Sequence, residues 1–203
     1  IQGDTSFGDL NGSFSINSAR QPTAVEGKFN ATQVILASSD LTSQDRAEMP
    51  RHNLVTEIQT KGDSFSELGA QLNGYFWIQG RNGRLLSTKL NVLFGDFFLE
   101  LLNTLNPFYK KSEYAELACD AAYLQFTDGI IETAPAVILQ TDKISIVAAG
   151  KVSLNTEKID IGFKTSALKG IGLSAGDIVN PFIKLGGSLS KPTIVPDPKD
   201  TVI

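Results

Sequence analysis

From Lys143 to Phe163 the chain reads KISIVAAGKVSLNTEKIDIGF, with apolar side chains on almost every second residue. A helix repeats its faces every 3.6 residues, so this spacing belongs to a strand, whose successive side chains point to opposite faces. Taken as a strand from Lys143 to Leu154, it sends Ile144, Ile146, Ala148, Gly150, Val152 and Leu154 one way. Ser145, Val147, Ala149, Lys151 and Ser153 point the other way. Asn155 to Lys158 make a turn, after which Ile159, Ile161 and Phe163 resume the apolar face against Asp160, Gly162 and Lys164. A strand of about 11 residues runs ~36 Å, roughly twice the usual length. The chain is therefore expected to build a long, one-sided antiparallel ribbon.

The same pattern recurs on both sides of that ribbon. FGDLNGSFSI and EGKFNATQVIL read as strands joined by the loose connection NSARQPTA, and LVTEIQT alternates through Leu54, Thr56 and Ile58. Residues 38–53 are polar and contain Pro50, which predicts a loop or a short, poorly anchored helix. YFWIQGRNGRL is expected to be a strand turning at Asn82-Gly83. AELACDAAYLQF, GIIETAPAVILQ and FIKLGGSLSKPTIV are further strands, with turns at Thr127-Asp128-Gly129 and Thr141-Asp142. Gly129 suits a left-handed backbone position, and Pro135 calls for a bulge or an edge because it cannot donate to a ladder.

Helix signals interrupt the strands. Ser64 and Glu67 have capping-box spacing, Phe65, Leu68 and Leu72 share a helical face, and Asn73-Gly74 reads as the stop. Leu90, Leu93, Phe94, Phe97, Leu101 and Leu105 recur at helical spacing until Asn106-Pro107, and Phe98 and Leu99 make even the flanks apolar. Ser174 and Asp177 suggest a third, short helix. The fold class that follows is mainly β, a β-rich α+β arrangement of a long antiparallel sheet with two to three short helices.

Composition limits the functions open to such a sheet. With 203 residues, 41% hydrophobic and 20% charged, the chain can bury a sizeable core. Its net charge of −4 opposes general nucleic-acid binding, which requires many cations to neutralise phosphates. The single cysteine, Cys119, excludes an internal disulfide framework and a thiolate zinc cluster, and reads as a small buried apolar residue. No run approaches the roughly 18–20 apolar residues of a membrane-spanning helix. The start at IQGDTSFGDL, without a methionine, reads as a fragment or processed form.

The residues offer little for catalysis. His52 is the only histidine, and its polar surroundings predict an exposed loop position. Asp40 with Asp45, and Asp197 with Asp200, lie in loop-like sequence, while Asp63, Asp128, Asp142 and Asp177 stand where turns and caps favour aspartate. GRNGR places two arginines around a tight turn without the spacing of a phosphate loop. No catalytic residue, metal site or cofactor is expected.

The order of several phrases is more informative than any one residue. GDSFSELGAQLNGYFWIQGRNGRL, LNPF with YAELACDAAYLQFTDGI, TDKISIVAAGKVSLNTEKIDIGF and VNPFIKLGGSLSKPTIVPDP together resemble the AsmA-like C-terminal region of bacterial envelope proteins. The resemblance covers roughly residues 60–198. It divides the chain into a β-rich N-terminal segment, 1–60, continuous with the same sheet, and an AsmA-like region, 61–203. It implies a curled sheet with an apolar inner face, in a periplasmic protein attached to the inner membrane through parts of a longer parent. It further implies carriage of phospholipid between inner and outer membranes, with envelope proteins as further partners.

On that reading Ile144, Ile146, Val152, Leu154, Ile159, Ile161 and Phe163 line a groove for acyl chains, and Leu90, Phe94, Phe97, Leu101 and Leu105 pack against or cap it. Each sheltered methylene contributes ~0.8 kcal/mol, so a chain of about 14 gains on the order of 10 kcal/mol before ordering costs. Two other readings explain the same residues. The strands and the Leu90–Leu105 helix can form an ordinary dry α+β core, or the sheet can be a protein-docking module of an envelope assembly without bound lipid.

Overall fold

In the computed structural model, the strands form one open antiparallel sheet whose spatial order is the chain order. Residues 2–5, 8–19, 21–36, 42–86, 114–142, 144–168 and 182–196 are described. The strands are β1 (Gln2–Thr5), β2 (Gly8–Asn17), β3 (Ala24–Ile35), β4 (Arg51–Lys61), β5 (Asn73–Leu86) and β6 (Tyr114–Thr127). They continue through β7 (Ile130–Thr141), β8 (Ile144–Ser153), β9 (Lys158–Ala167), β10 (Phe182–Ser188) and β11 (Lys191–Pro196). Two six-residue helices, α1 (Ser43–Glu48) and α2 (Phe65–Ala70), occupy the β3–β4 and β4–β5 connections. The protein is thus mainly β, as the alternation requires.

Directly opposed residues of an antiparallel pair share a face, so the registers sort the side chains. Ile146, Ala148 and Val152 of β8 stand opposite Thr165, Phe163 and Ile159 of β9. Ile183 and Leu185 of β10 stand opposite Phe163 and Ile161, and Ile194 of β11 opposite Leu185. In the other direction the same face holds Leu139 and Val137 of β7, Ala122 of β6, Ile78 of β5 and Leu54 of β4. Ala31 of β3 and Leu10 of β2 carry it further. The opposite face is more polar, with ion pairs Lys28–Glu57 and Lys184–Asp160 and the stacked rings of Tyr75 and Tyr123, 5.9 Å apart, although Val55, Trp77, Ile138 and Val147 also stand on it.

Local chemistry fixes the connections. Thr42 caps α1 by accepting from the Asp45 amide, and the Asp45 carboxylate accepts from the Thr42 amide in return. Ser64 accepts from the Glu67 amide, but the Glu67 carboxylate reaches past it to the Asp63 amide. Asp128 and Gly129, at φ 46° and 75°, make the two-residue β6–β7 turn, which Asn73 clasps by hydrogen bonds to the Asp128 side chain and amide. Pro135 lies where β7 bulges between Glu132 and Val137, inside the sheet rather than at an edge. There Thr133 Oγ1 accepts from the Gly150 amide.

Several expectations are corrected. Asn82-Gly83 is no turn: β5 runs straight through it for 14 residues, and Gly83 is small because a Cβ there would come within 2.3 Å of the Pro50 nitrogen. Asn73-Gly74 begins β5 rather than stopping a helix, since α2 ends at Ala70. Phe65 is 94% exposed, because the six-residue α2 turns only its last residues, Leu68, Gly69 and Ala70, partly inward, and Leu72 is half-buried just beyond it. FIKLGGSLSKPTIV is a hairpin, β10 and β11, turning at Leu189-Ser190. The Lys143–Leu154 ribbon is the 10-residue β8, shorter than the 14-residue β5 and β6. The expected helix at Leu90–Leu105 and the one at Ser174 lie outside the described residues.

Burial along the sheet is shallow. Among the described residues the buried hydrophobics are Ala31, Ile35, Met49, Leu117, Ile146, Ala148, Ile183 and Leu185, with Pro50 buried most completely. Ile146 and Ile183 touch although β9 runs between them, with Leu139, Phe163 and Ile194 packed around. Strands two apart are separated by about 9.6 Å, so this contact requires the apolar face to be concave there. At the other end Leu10, Phe14 and Ile16 of β2 are 38, 52 and 61% exposed.

Candidate functional site

Among the described residues one mainly apolar face runs across the sheet from β2 to β11. It is built by pairing register, since a one-residue slip in any strand would send its apolar set to the polar face. Down the middle of the sheet, Ile58, Thr56 and Leu54 of β4 lie beside Gly74, Phe76 and Ile78 of β5. Phe126, Leu124 and Ala122 of β6 complete the rows. All nine are half-buried. The row after them ends the apolar tract with His52, Gly80 and Asp120.

That polar row was not legible in the sequence. His52 is not an exposed loop residue but lies in β4 at 5% exposure, and its Nε2–H donates to Asp120 Oδ1 at 3.2 Å. The polar residues around it belong to the opposite face and to α1, which is why its neighbours misrepresent its setting. Gly80 lies between the two side chains: a Cβ there would fall 2.1 Å from Asp120 Oδ1 and 2.5 Å from the imidazole. His52 Nδ1 is buried with no hydrogen-bond partner among the described residues. An unpaired buried polar atom costs roughly 1–3 kcal/mol, so the pair marks a polar stop across an otherwise apolar face.

The expected groove residues fall as follows. Ile146 is 6% exposed in the concave cluster, and Val152, Ile159, Ile161 and Phe163 are half-buried on the same face. Ile144 opens β8 opposite Ala167. Leu154 lies beyond β8 in the turn, beside Gly69 of α2, with its amide bonded to the Gly129 carbonyl. Leu90, Phe94, Phe97, Leu101 and Leu105 are outside the described residues. Sequence reasoning missed the partners from β4, β5, β6 and β10. Their alternation was present, but which strands neighbour the ribbon depends on the topology.

Among the described residues no group of three or more His, Cys, Asp and Glu gathers as a metal site would require. Cys119 is a half-buried free thiol opposite Arg81. Arg84 donates to Glu116 at 2.7 Å and to Glu48 at 2.9 Å, and these hydrogen bonds raise its pKa above the usual arginine range. No helix of the described residues is long and apolar enough to cross a membrane. No family model, curated protein or solved structure matches the chain.

Proposed function

We propose that the apolar face shelters phospholipid acyl chains, and that the chain is a non-enzymatic, lipid-binding segment of an AsmA-like periplasmic protein serving transport between inner and outer membranes. The observation that carries this reading is an apolar tract continuous over ten strands, β2 to β11, whose large side chains are mostly only half-buried and, in β2, exposed. A dry core of this extent would bury its large side chains, because area left in water forfeits about 25 cal/mol per Å².

Dimensions support an acyl occupant. From Ile58 to His52 the strand rises six residues, about 20 Å, which exceeds the ~15 Å depth of one leaflet of a bilayer's ~30 Å hydrocarbon core. A chain lying along the strands would meet side-chain hydrocarbon for its whole length and stop at the His52–Asp120 row. At ~0.8 kcal/mol per methylene, such contact holds lipid without any specific hydrogen bond.

The test is native mass spectrometry of gently purified protein followed by lipid extraction, with a photo-crosslinking side chain at Ile161 or at Lys164. Co-purifying phospholipid at about one or more per chain, captured from Ile161 on the apolar face and little from Lys164 on the other, is the expected result. Reproducibly lipid-free protein with no adduct at Ile161 would overturn the proposal and leave the docking or structural module in its place.

A further inference from the structure

Arg51 of β4 and Arg81 of β5 are directly opposed, on the face away from the apolar tract. Like charges in that relation repel, and neighbouring strands normally avoid it or supply a carboxylate between them. None is supplied here. Arg81 has no partner among the described residues, and Arg51 donates only to the Gln33 carbonyl at 3.1 Å. Glu48 is the one acid lining this region, and it accepts from Arg84.

The two guanidinium groups line a pocket of about 480 Å³, shared with Gln33, Asn53, Gln79 and Asn82 and bounded by the end of α1 through Met49. That volume is within the range of small-molecule sites, about 300–1,000 Å³. Its shape is imposed by the β3 bulge between Ala31 and Val34, where Gln33 takes φ 56°, in the left-handed region that a non-glycine residue adopts at a cost. The bulge brings the Gln33 carbonyl to Arg51 and its amide to Asn53 Oδ1, at 3.0 Å. The amide groups of Gln79 and Asn82 remain without partners among the described residues.

We propose that this pocket is a binding site for a phosphate group. Two arginines present about ten N–H donors, more than one carboxylate accepts, whereas the oxygens of a phosphate engage both forks at once. The free side-chain amides suit hydroxyl groups next to the phosphate, as in a glycerophosphoryl unit. That unit occurs both in soluble phosphate esters and in phospholipid headgroups. Because the pocket and the apolar tract are on opposite faces, this inference does not depend on the acyl-chain reading.

The test measures binding of glycerol 3-phosphate by titration calorimetry, with acetate as control, and co-sedimentation with phosphatidylglycerol vesicles. Both are run on the wild-type chain, Arg81→Gln and Arg81→Lys. Glycerol 3-phosphate binding weakened about tenfold or more by Arg81→Gln, and less by Arg81→Lys, supports the site with a soluble source. Arg81-dependent binding to vesicles alone supports it with a headgroup source. Ligand-free Arg81→Gln is expected to melt at or above the wild-type temperature, since it relieves repulsion. A lower melting temperature would indicate a structural role and count against the proposal, and binding that is absent or indifferent to Arg81 in both arms would overturn it.

Discussion

His52 and Asp120 stand 68 residues apart in the chain and 3.2 Å apart in the fold, joined across the bare backbone of Gly80. The contact ties three adjacent strands together and places one buried polar row at the end of the apolar tract. Its energetics follow from what each partner loses when the other is removed.

Asp120→Ala leaves both imidazole nitrogens buried without a partner, and should cost about 1–3 kcal/mol. Adding His52→Phe to Asp120→Ala should recover part of the loss, because removing both polar partners is less costly than orphaning one. Urea unfolding of the two single variants and the double variant measures this. A double variant as unstable as the sum of the singles would contradict a coupled pair.

Gly80→Ala should destabilise by about 1–3 kcal/mol, since its Cβ would collide with the Asp120 carboxylate and the His52 ring. Gly186→Ala, whose nearest neighbours lie at 3.9 Å, should change stability by no more than about 0.5 kcal/mol. Thermal melts of the two side by side would separate a close-approach glycine from a tolerant one.

Burial predicts an unequal pair of core substitutions. Ile183→Ala, at 4% exposure in the concave cluster, should cost about 2–5 kcal/mol, whereas Phe65→Ser, at 94%, should be near neutral. Equal effects in chemical denaturation would mean that Phe65 packs against something under those conditions.

Ile161→Asp distinguishes a lipid surface from a packed interior. On a half-buried, open apolar face the carboxylate reaches water and the fold survives, but an ion beside hydrocarbon pays a heavy desolvation cost, so lipid retention should fall. Circular dichroism and lipid extraction on the same sample provide the readout. An unfolded variant would count for a dry core.

Much of the fold was legible because one side of each strand differs from the other. Ile144 to Phe163 announced a hairpin without reference to any other segment, and Asp128-Gly129 announced its turn. Glycine was harder to read. Gly83 and Gly80 are small so that Pro50 and the His52–Asp120 pair can approach, yet in sequence Asn82-Gly83 is indistinguishable from a turn. Conversely, the real β10–β11 turn at Leu189-Ser190 lacks any such signal, while Gly186-Gly187 inside β10 suggests one. His52 was unreadable because its environment is made by Asp120 and Gly80, and no local pattern encodes a partner two strands away.

Since spatial order repeats chain order, every strand pairs only with its immediate predecessor and successor. The sheet is in this sense one-dimensional: each closure joins nearby segments, which keeps the entropic cost of closing loops small and favours rapid zippering from any nucleus. Such a ladder can also gain or lose a whole hairpin without rethreading the rest. Each exchange changes its breadth by about 10 Å, and because a hairpin returns to the same parity, the oily side stays on the oily side. Breadth is therefore a quantity that insertion and deletion can tune in discrete steps while leaving the surface chemistry intact.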